Sequence, residues 1–301
     1  MNLTINSEDS LYGDELGNYA ALVTCNGNLV NNGTISQNGS YFDFDLTIKG
    51  DITNNGEIKN NHIYLDSENS QTFSSTHIIE VLNLEMKNGQ NLLAGSDLSF
   101  VDTYFQFNNG GFIIDEGTSV SFSQQTAYAF THIDKAHIKG GGTIFSENDF
   151  FFNDSTTIEN MKLTGLIQGK GDFAILGNVE LVDTLQQAEH NYPVEISIKE
   201  DFTNNGVIRD NPNDNDHLIL NVQKNITNNG DWNNSWVLME GATDQVFENK
   251  GNLNSSFSLK ANVNSATTFQ WFKNATSIDG ATEEYYEINK YIDPENYNRV
   301  Y

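Results

Sequence analysis

The sequence predicts an all-β protein built as a parallel β-solenoid, with right-handed β-helical winding expected, and three observations carry that prediction. The first is a recurring phrase: Leu29-Val30-Asn31-Asn32-Gly33, Ile52-Thr53-Asn54-Asn55-Gly56, Phe202-Thr203-Asn204-Asn205-Gly206 and Ile226-Thr227-Asn228-Asn229-Gly230. Neighbouring copies lie 56−33 = 23 and 230−206 = 24 residues apart, and a looser copy at Asn249-Lys250-Gly251 follows after 251−230 = 21. A fixed period of this size marks stacked windings. The second observation is internal duplication. Residues 52–73 and 226–247 align without a gap at an offset of 226−52 = 174, with eight of 22 positions identical, Gln71/Gln245 and Phe73/Phe247 among them. Composition alone would supply roughly two identities. The third is alternation. Phe42, Phe44, Leu46 and Ile48 alternate with Asp43, Asp45, Thr47 and Lys49, as Val194, Ile196 and Ile198 do with Glu195, Ser197 and Lys199. Period two means strands with one buried and one wet face.

Asparagine, about one residue in seven, gathers at the corners. Asn tolerates the left-handed backbone and Gly takes positive φ cheaply, so Asn-Asn-Gly is expected to turn the chain by that means. Stacking would also let each Asn bond its equivalent above and below, as in cross-β ladders. Asn-Gly is equally the strongest short hairpin signal, so an antiparallel meander is the competing architecture. The 21–24-residue spacing, with further strands between the turns, suits windings better. Residues 101–190 keep the composition but lose the phrase and read as degenerate windings, with Leu185 to Glu189 as a polar helical turn. Asp210 to Asp216 reads as an exposed insertion. The solenoid is expected over residues 1–254, in windings of about 20–24 residues.

Among 301 residues, 41 acids stand against 15 bases, a formal charge of −26. Nucleic acid and anionic membrane both demand a dense Lys/Arg footprint, so neither is an expected partner. Nothing approaches a run of ~18 apolar residues, so no membrane insertion is expected. The start lacks a basic region followed by an apolar one; an export signal would lie outside this sequence. Cys25 is alone and sits in an apolar stretch, where it reads as a small buried hydrophobe.

The repeats resemble arrays in large secreted and cell-surface proteins of Bacteroidetes-type bacteria. The matching pieces are Leu46-Thr47-Ile48, Asn54-Asn55-Gly56, Gln71-Thr72-Phe73 and Leu82-Asn83-Leu84, then Ile226 to Gly230, Gln245-Val246-Phe247 and Phe257-Ser258-Leu259. The C-terminus, residues 255–301, resembles the start of a bacterial immunoglobulin-like domain. It carries Phe269-Gln270-Trp271-Phe272-Lys273-Asn274, Ile278-Asp279-Gly280-Ala281-Thr282 and Tyr286-Glu287-Ile288. That resemblance implies that Phe257 to Val263 forms strand B and that Trp271 is the buried tryptophan of strand C. Ala275 stands where the family usually has Gly, and no cysteine pair is present.

Candidate sites are few. Asp43 and Asp45 share one wet strand face with carboxylates ~6–7 Å apart, between the separations of retaining and inverting glycosidases. The plainer alternative is a solvated face in a chain of 41 acids. Asp210, Asp214 and Asp216 offer hard oxygen ligands suited to Ca²⁺, without the mid-loop Gly or terminal Glu of an EF-hand. The six histidines make no metal-ligand spacing. Arg209 is expected to pair with Asp210 or another surface acid. Tyr64, Trp232 and Trp236 could stack on sugar rings, or pack between windings at corners.

The expected function is therefore a non-enzymatic, extracellular or cell-surface stalk or adhesin-type solenoid. Its partners would be adjacent domains of a larger parent protein, with a carbohydrate or host-surface ligand possible. A glycan-binding module, or a β-helix polysaccharide lyase or hydrolase using surface acids, is the alternative.

Overall fold

In the computed structural model the described residues are 1–12, 21–37, 44–125, 131–153, 155–188, 193–212, 217–234, 236–242, 245–253, 257–261, 270–273 and 276–288. They form strands and connecting turns, with no helix among them. The chain divides into two compact units, residues 1–156 and 157–301, and each is a parallel β-solenoid.

In the first unit every winding crosses three strand columns. One column stacks Leu3–Ile5, Leu29–Asn31, Ile52–Asn54, Gln71–Ser75, Leu92–Ala94, Gly111–Ile113 and His137–Lys139, all parallel. The long strands Glu57–Leu65, Ile79–Met86 and Thr143–Phe152 run through both other columns. There they pair with Thr34–Ser36, Leu98–Val101 and Ser119–Ser123 on one side of the bend, and with Phe44–Ile48, Tyr104–Phe107 and Thr131–Asp134 on the other. The second unit repeats the plan. Thr157–Glu159, Phe173–Ile175, Val194–Ile198, Leu218–Val222, Trp236–Met239 and Phe257–Ala261 form its first column. Val179–Leu181, Phe202–Asn204, Ile226–Asn228 and Phe247–Asn249 form the next. Parallel register in every column excludes the hairpin meander.

Alternation sets the core. Leu46, Ile63, Leu84, Phe105, Ile133 and Phe152 succeed one another across neighbouring strands and are 0% exposed. Burying each contributes about 2 kcal/mol. The middle of the chain, poor in Asn-Gly, compensates with rings: Phe122 stacks on Phe150 at 4.3 Å, and Phe100 meets Phe105 edge-on at 4.7 Å.

The corners hold two kinds of ladder. The first Asn of each phrase points inward, and Asn31, Asn54, Asn204 and Asn228 are all 0% exposed. Asn31 Nδ2 donates to Asn54 Oδ1 at 2.7 Å, and Asn54 Nδ2 to Ser75 Oγ at 2.9 Å. In the second unit Asn204 donates to Asn228 at 2.7 Å and Asn228 to Asn249 at 2.6 Å. Ile5 and Leu181 lie beneath the first rung of each ladder. The second Asn points outward and builds a solvent-side ladder, Asn55 to Asn32 at 3.0 Å and Asn229 to Asn205 at 2.7 Å.

The glycine of the phrase works differently from the expectation. Positive φ occurs at Gly89, Gly117, Gly140, Gly141, Gly165 and Gly280, and at none of Gly33, Gly56, Gly206 or Gly230. Glycine is needed there for close approach: a Cβ on Gly56 would collide with the Gly33 carbonyl oxygen, and one on Gly230 with that of Gly206. Two further expectations change. The expected helical turn is instead the strand Thr184–Gln187, because its side chains join the neighbouring winding, Gln187 Oε1 accepting from the Asn211 N–H at 2.9 Å. Phe257–Ala261, expected as strand B of an immunoglobulin-like segment, stacks parallel on Trp236–Met239 as one more solenoid strand. Its other edge takes Tyr285–Ile288 antiparallel. Trp271 is 7% exposed, its Nε1 donating to the Glu283 carbonyl at 2.9 Å.

Candidate functional site

On the strands of the first unit whose inward residues form the apolar column, the intervening residues make two outward rows. One runs Asp45, His62, Asn83, Tyr104, His132, Phe151, and the other Thr47, Tyr64, Glu85, Gln106, Asp134. Parallel pairing places these groups side by side although they are scattered through the sequence.

The rows are internally bonded. His62 Nδ1 lies 2.9 Å from Asp45 Oδ1 and 3.4 Å from the Tyr64 hydroxyl. Lys87 Nζ stands 4.2 Å over the Tyr64 ring centre and 2.8 Å from Glu85 Oε2. Tyr104 stacks on His132 with ring centres 4.0 Å apart, and its hydroxyl donates to Asp134 Oδ2 at 3.0 Å. Burial first, and then the Asp134 carboxylate, push the Tyr104 phenol up to about 12. Asn83 Oδ1 is shielded from solvent and makes no hydrogen bond among the described residues. The stripe thus offers ring edges, an imidazole oriented by a carboxylate, and one acceptor held out of water.

The residues singled out from the sequence fall as follows. Asp43 lies outside the described residues. Asp45 is on the stripe, engaged with an imidazole. Tyr64 is on it too, half-buried, with one face under Lys87. Trp236 begins a strand and is 41% exposed. Trp232 is a correction: it is 0% exposed and packs edge-on against Phe247 at 5.1 Å, so it has no face to offer a sugar. Its strand pairs Trp232 with the inward Ile208, which fixes its direction.

Asp210 ties the insertion back to the body of the second unit. Its Oδ1 accepts from the Leu218 N–H at 2.9 Å and from Asn234 Nδ2 at 3.3 Å, while His217 Nδ1 lies 3.7 Å from Oδ2. Asp214 and Asp216 lie outside the described residues. Among the described residues no three His, Cys, Asp or Glu side chains are grouped to hold a metal ion. Arg209, expected on an acid, donates from Nε to Gln186 Oε1 at 2.8 Å instead. Cys25 is buried, its Sγ 3.2 Å from the Gly27 carbonyl oxygen.

His62, Lys87, Tyr104, His132 and Asp134 are the stripe residues that sequence reasoning passed over. No family model matches the chain, and no curated protein or solved structure matches it either.

Proposed function

We propose that the chain is a non-enzymatic structural element of a secreted or cell-surface protein, a stalk or adhesin-type solenoid carrying adjacent modules of a larger parent. What supports this is the pair of inward ladders, Asn31-Asn54-Ser75 and Asn204-Asn228-Asn249, whose side chains are spent binding one winding to the next. Stability in such arrays accrues from nearest-neighbour interfaces, and a net charge of −26 opposes self-association. Right-handed winding belongs to the proposal, on the general preference of parallel β crossovers. So does an immunoglobulin-like module following the solenoid strand Phe257–Ala261, for which the burial of Trp271 is the support.

Two experiments test it. An antibody against the chain should label intact cells of its source without permeabilisation, and labelling only after lysis overturns the location. Excising residues 205–228, one 24-residue winding between Asn204 and Asn228, should leave a cooperatively folding β protein. Collapse of the fold on that excision overturns the modular role.

A second function, glycan binding, is favoured by the stripe of the first unit. Half-exposed rings with polar edges suit pyranose faces. Retention on a glycan array that fails when Tyr104 becomes Ala supports it; a blank array overturns it.

A further inference from the structure

The chain contains eight Asn-Gly steps, seven of them among the described residues: Asn26-Gly27, Asn32-Gly33, Asn55-Gly56, Asn88-Gly89, Asn109-Gly110, Asn205-Gly206 and Asn229-Gly230. Such steps are chemically fragile, because glycine leaves its backbone nitrogen unhindered beside the Asn side chain. In deamidation that nitrogen gives up its proton to solvent and attacks Asn Cγ. The Cγ–Nδ2 bond breaks, and ammonia departs with a proton from water. Water then opens the cyclic imide to aspartate or isoaspartate. The reaction needs two free partners, the glycine N–H and the Asn side chain.

At the four stacked phrases both partners are held. The Gly33, Gly56 and Gly206 N–H groups donate to Oδ1 of Asn31, Asn54 and Asn204 at 3.2, 3.4 and 3.0 Å, and Gly230 N–H donates to the Asn204 carbonyl at 3.2 Å. The reacting side chains are fixed by the outer ladder: Asn55 on Asn32, Asn229 on Asn205, and Asn205 also on Glu180 Oε1 at 2.9 Å. Asn88-Gly89 is held at one end, through Asn88 Nδ2 to Asp66 Oδ1 at 2.7 Å. At Asn26-Gly27 and Asn109-Gly110 neither the glycine N–H nor the exposed Asn side chain makes a hydrogen bond among the described residues. Asn108-Asn109-Gly110 carries the same three letters as the stacked phrase, but Asn109 has φ +61° and sits outside both ladders. Stacking, not sequence, separates it from the others.

We propose that Asn26 and Asn109 are sites of spontaneous deamidation in the folded protein, and that the ladders protect the Asn-Gly bonds within them. Asn88 falls between. Each conversion adds one negative charge to an already acidic surface and leaves the inward ladder untouched.

The test uses the full chain without substitution. It is aged in mildly alkaline buffer, folded and in denaturant, then mapped by peptide mass spectrometry and by isoaspartate-specific enzymatic methylation. In the folded protein Asn26 and Asn109 should convert at least about fivefold faster than Asn55, Asn205 and Asn229, the factor expected from one net hydrogen bond. In denaturant the rates should converge. Equal rates in the folded protein overturn the proposal, and so does an unchanged ranking in denaturant, which would assign the difference to local sequence.

Discussion

Gln71 and Gln245 make the same pair of bonds, one in each unit. Gln71 Nε2 donates to the carbonyl oxygens of Ile48 at 3.2 Å and Gly50 at 2.6 Å, and Gln245 Nε2 to those of Val222 at 2.9 Å and Lys224 at 2.8 Å. In both cases the acceptors lie 23 and 21 residues earlier, where a strand of the preceding winding ends. The amide serves the Gly50 or Lys224 carbonyl, which has no other donor among the described residues. It adds a second donor to the Ile48 or Val222 carbonyl, which already accepts from the Asp66 N–H at 3.0 Å or the Glu240 N–H at 2.7 Å.

Replacing Gln71 by Leu keeps the volume and removes the donor, leaving the Gly50 carbonyl unpaired while Ile48 keeps its bond from the Asp66 N–H. The expected loss is about 1–2 kcal/mol, for one stranded acceptor. Gln245→Leu should cost less, because Gln245 is half-buried while Gln71 is 1% exposed. Urea midpoints at constant slope measure both. Equal or negligible shifts would show that water takes over the carbonyls.

The glycine of the corner gives a sharper contrast. If Gly56 were present for its backbone freedom, Asn would replace it at little cost. Because its Cβ position is filled by the Gly33 carbonyl oxygen, both Gly56→Ala and Gly56→Asn should destabilise, by about 1–3 kcal/mol from forced separation of the windings. Near-native stability of Gly56→Asn, read from the thermal midpoint, would restore the conformational explanation.

The solenoid was legible because the corners demand a fixed chemistry. Asn54 and Asn228 occupy equivalent ladder positions, and only a side chain that both donates and accepts can continue a ladder, so the letter repeats at the winding period. The stripe leaves no such trace. Its first row steps by 62−45 = 17, 83−62 = 21, 104−83 = 21, 132−104 = 28 and 151−132 = 19 residues. Connections of different length are absorbed at the bends, while strand pairing restores the register, so His62, Asn83, Tyr104 and His132 become successive neighbours without any periodic signal. Trp232 was misplaced for a related reason. Asp231 and Asn233 beside it suggest a wet segment, but in so short a strand only the register with Ile208 decides which way the ring points.

The inward ladder can be broken by one atom. Asn228→Asp keeps the shape but puts an acceptor where Nδ2 donates to Asn249 Oδ1 at 2.6 Å and to the Gly230 carbonyl at 3.2 Å. A buried carboxylate facing two acceptors should cost about 3 kcal/mol or more at neutral pH. Burial, with Asn204 Nδ2 donating to one oxygen and two acceptors facing the other, raises the folded-state pKa of that carboxyl above its unfolded value, so the penalty belongs to the charged form. It should shrink as pH falls through the raised folded-state value, where the acid regains a donor, and be gone below the unfolded carboxylate range. Asn228→Ser, small and neutral, serves as the comparison. A penalty for Asp independent of pH would place the damage in packing rather than in charge.

Tyr104 reports on the stripe directly. Its phenol is pushed from 10.0 up to about 12, by burial first and then by Asp134 accepting its hydrogen bond. A folded pKa above the unfolded one means that the bond's contribution is fully present below about 10 and is lost as pH rises through about 12. Asp134→Asn keeps an acceptor beside the hydroxyl but removes the charge that opposes tyrosinate. The Tyr104 midpoint should therefore fall part of the way back, burial still holding it above the ordinary value. Tyrosinate absorbance, taken as the difference from a Tyr104→Phe variant carrying the same second substitution, isolates this one ring among the 12 tyrosines. A midpoint that ignores the loss of Asp134 would show that the Tyr104 hydroxyl does not keep this partner in solution, and the stripe would lose its fixed geometry at that winding.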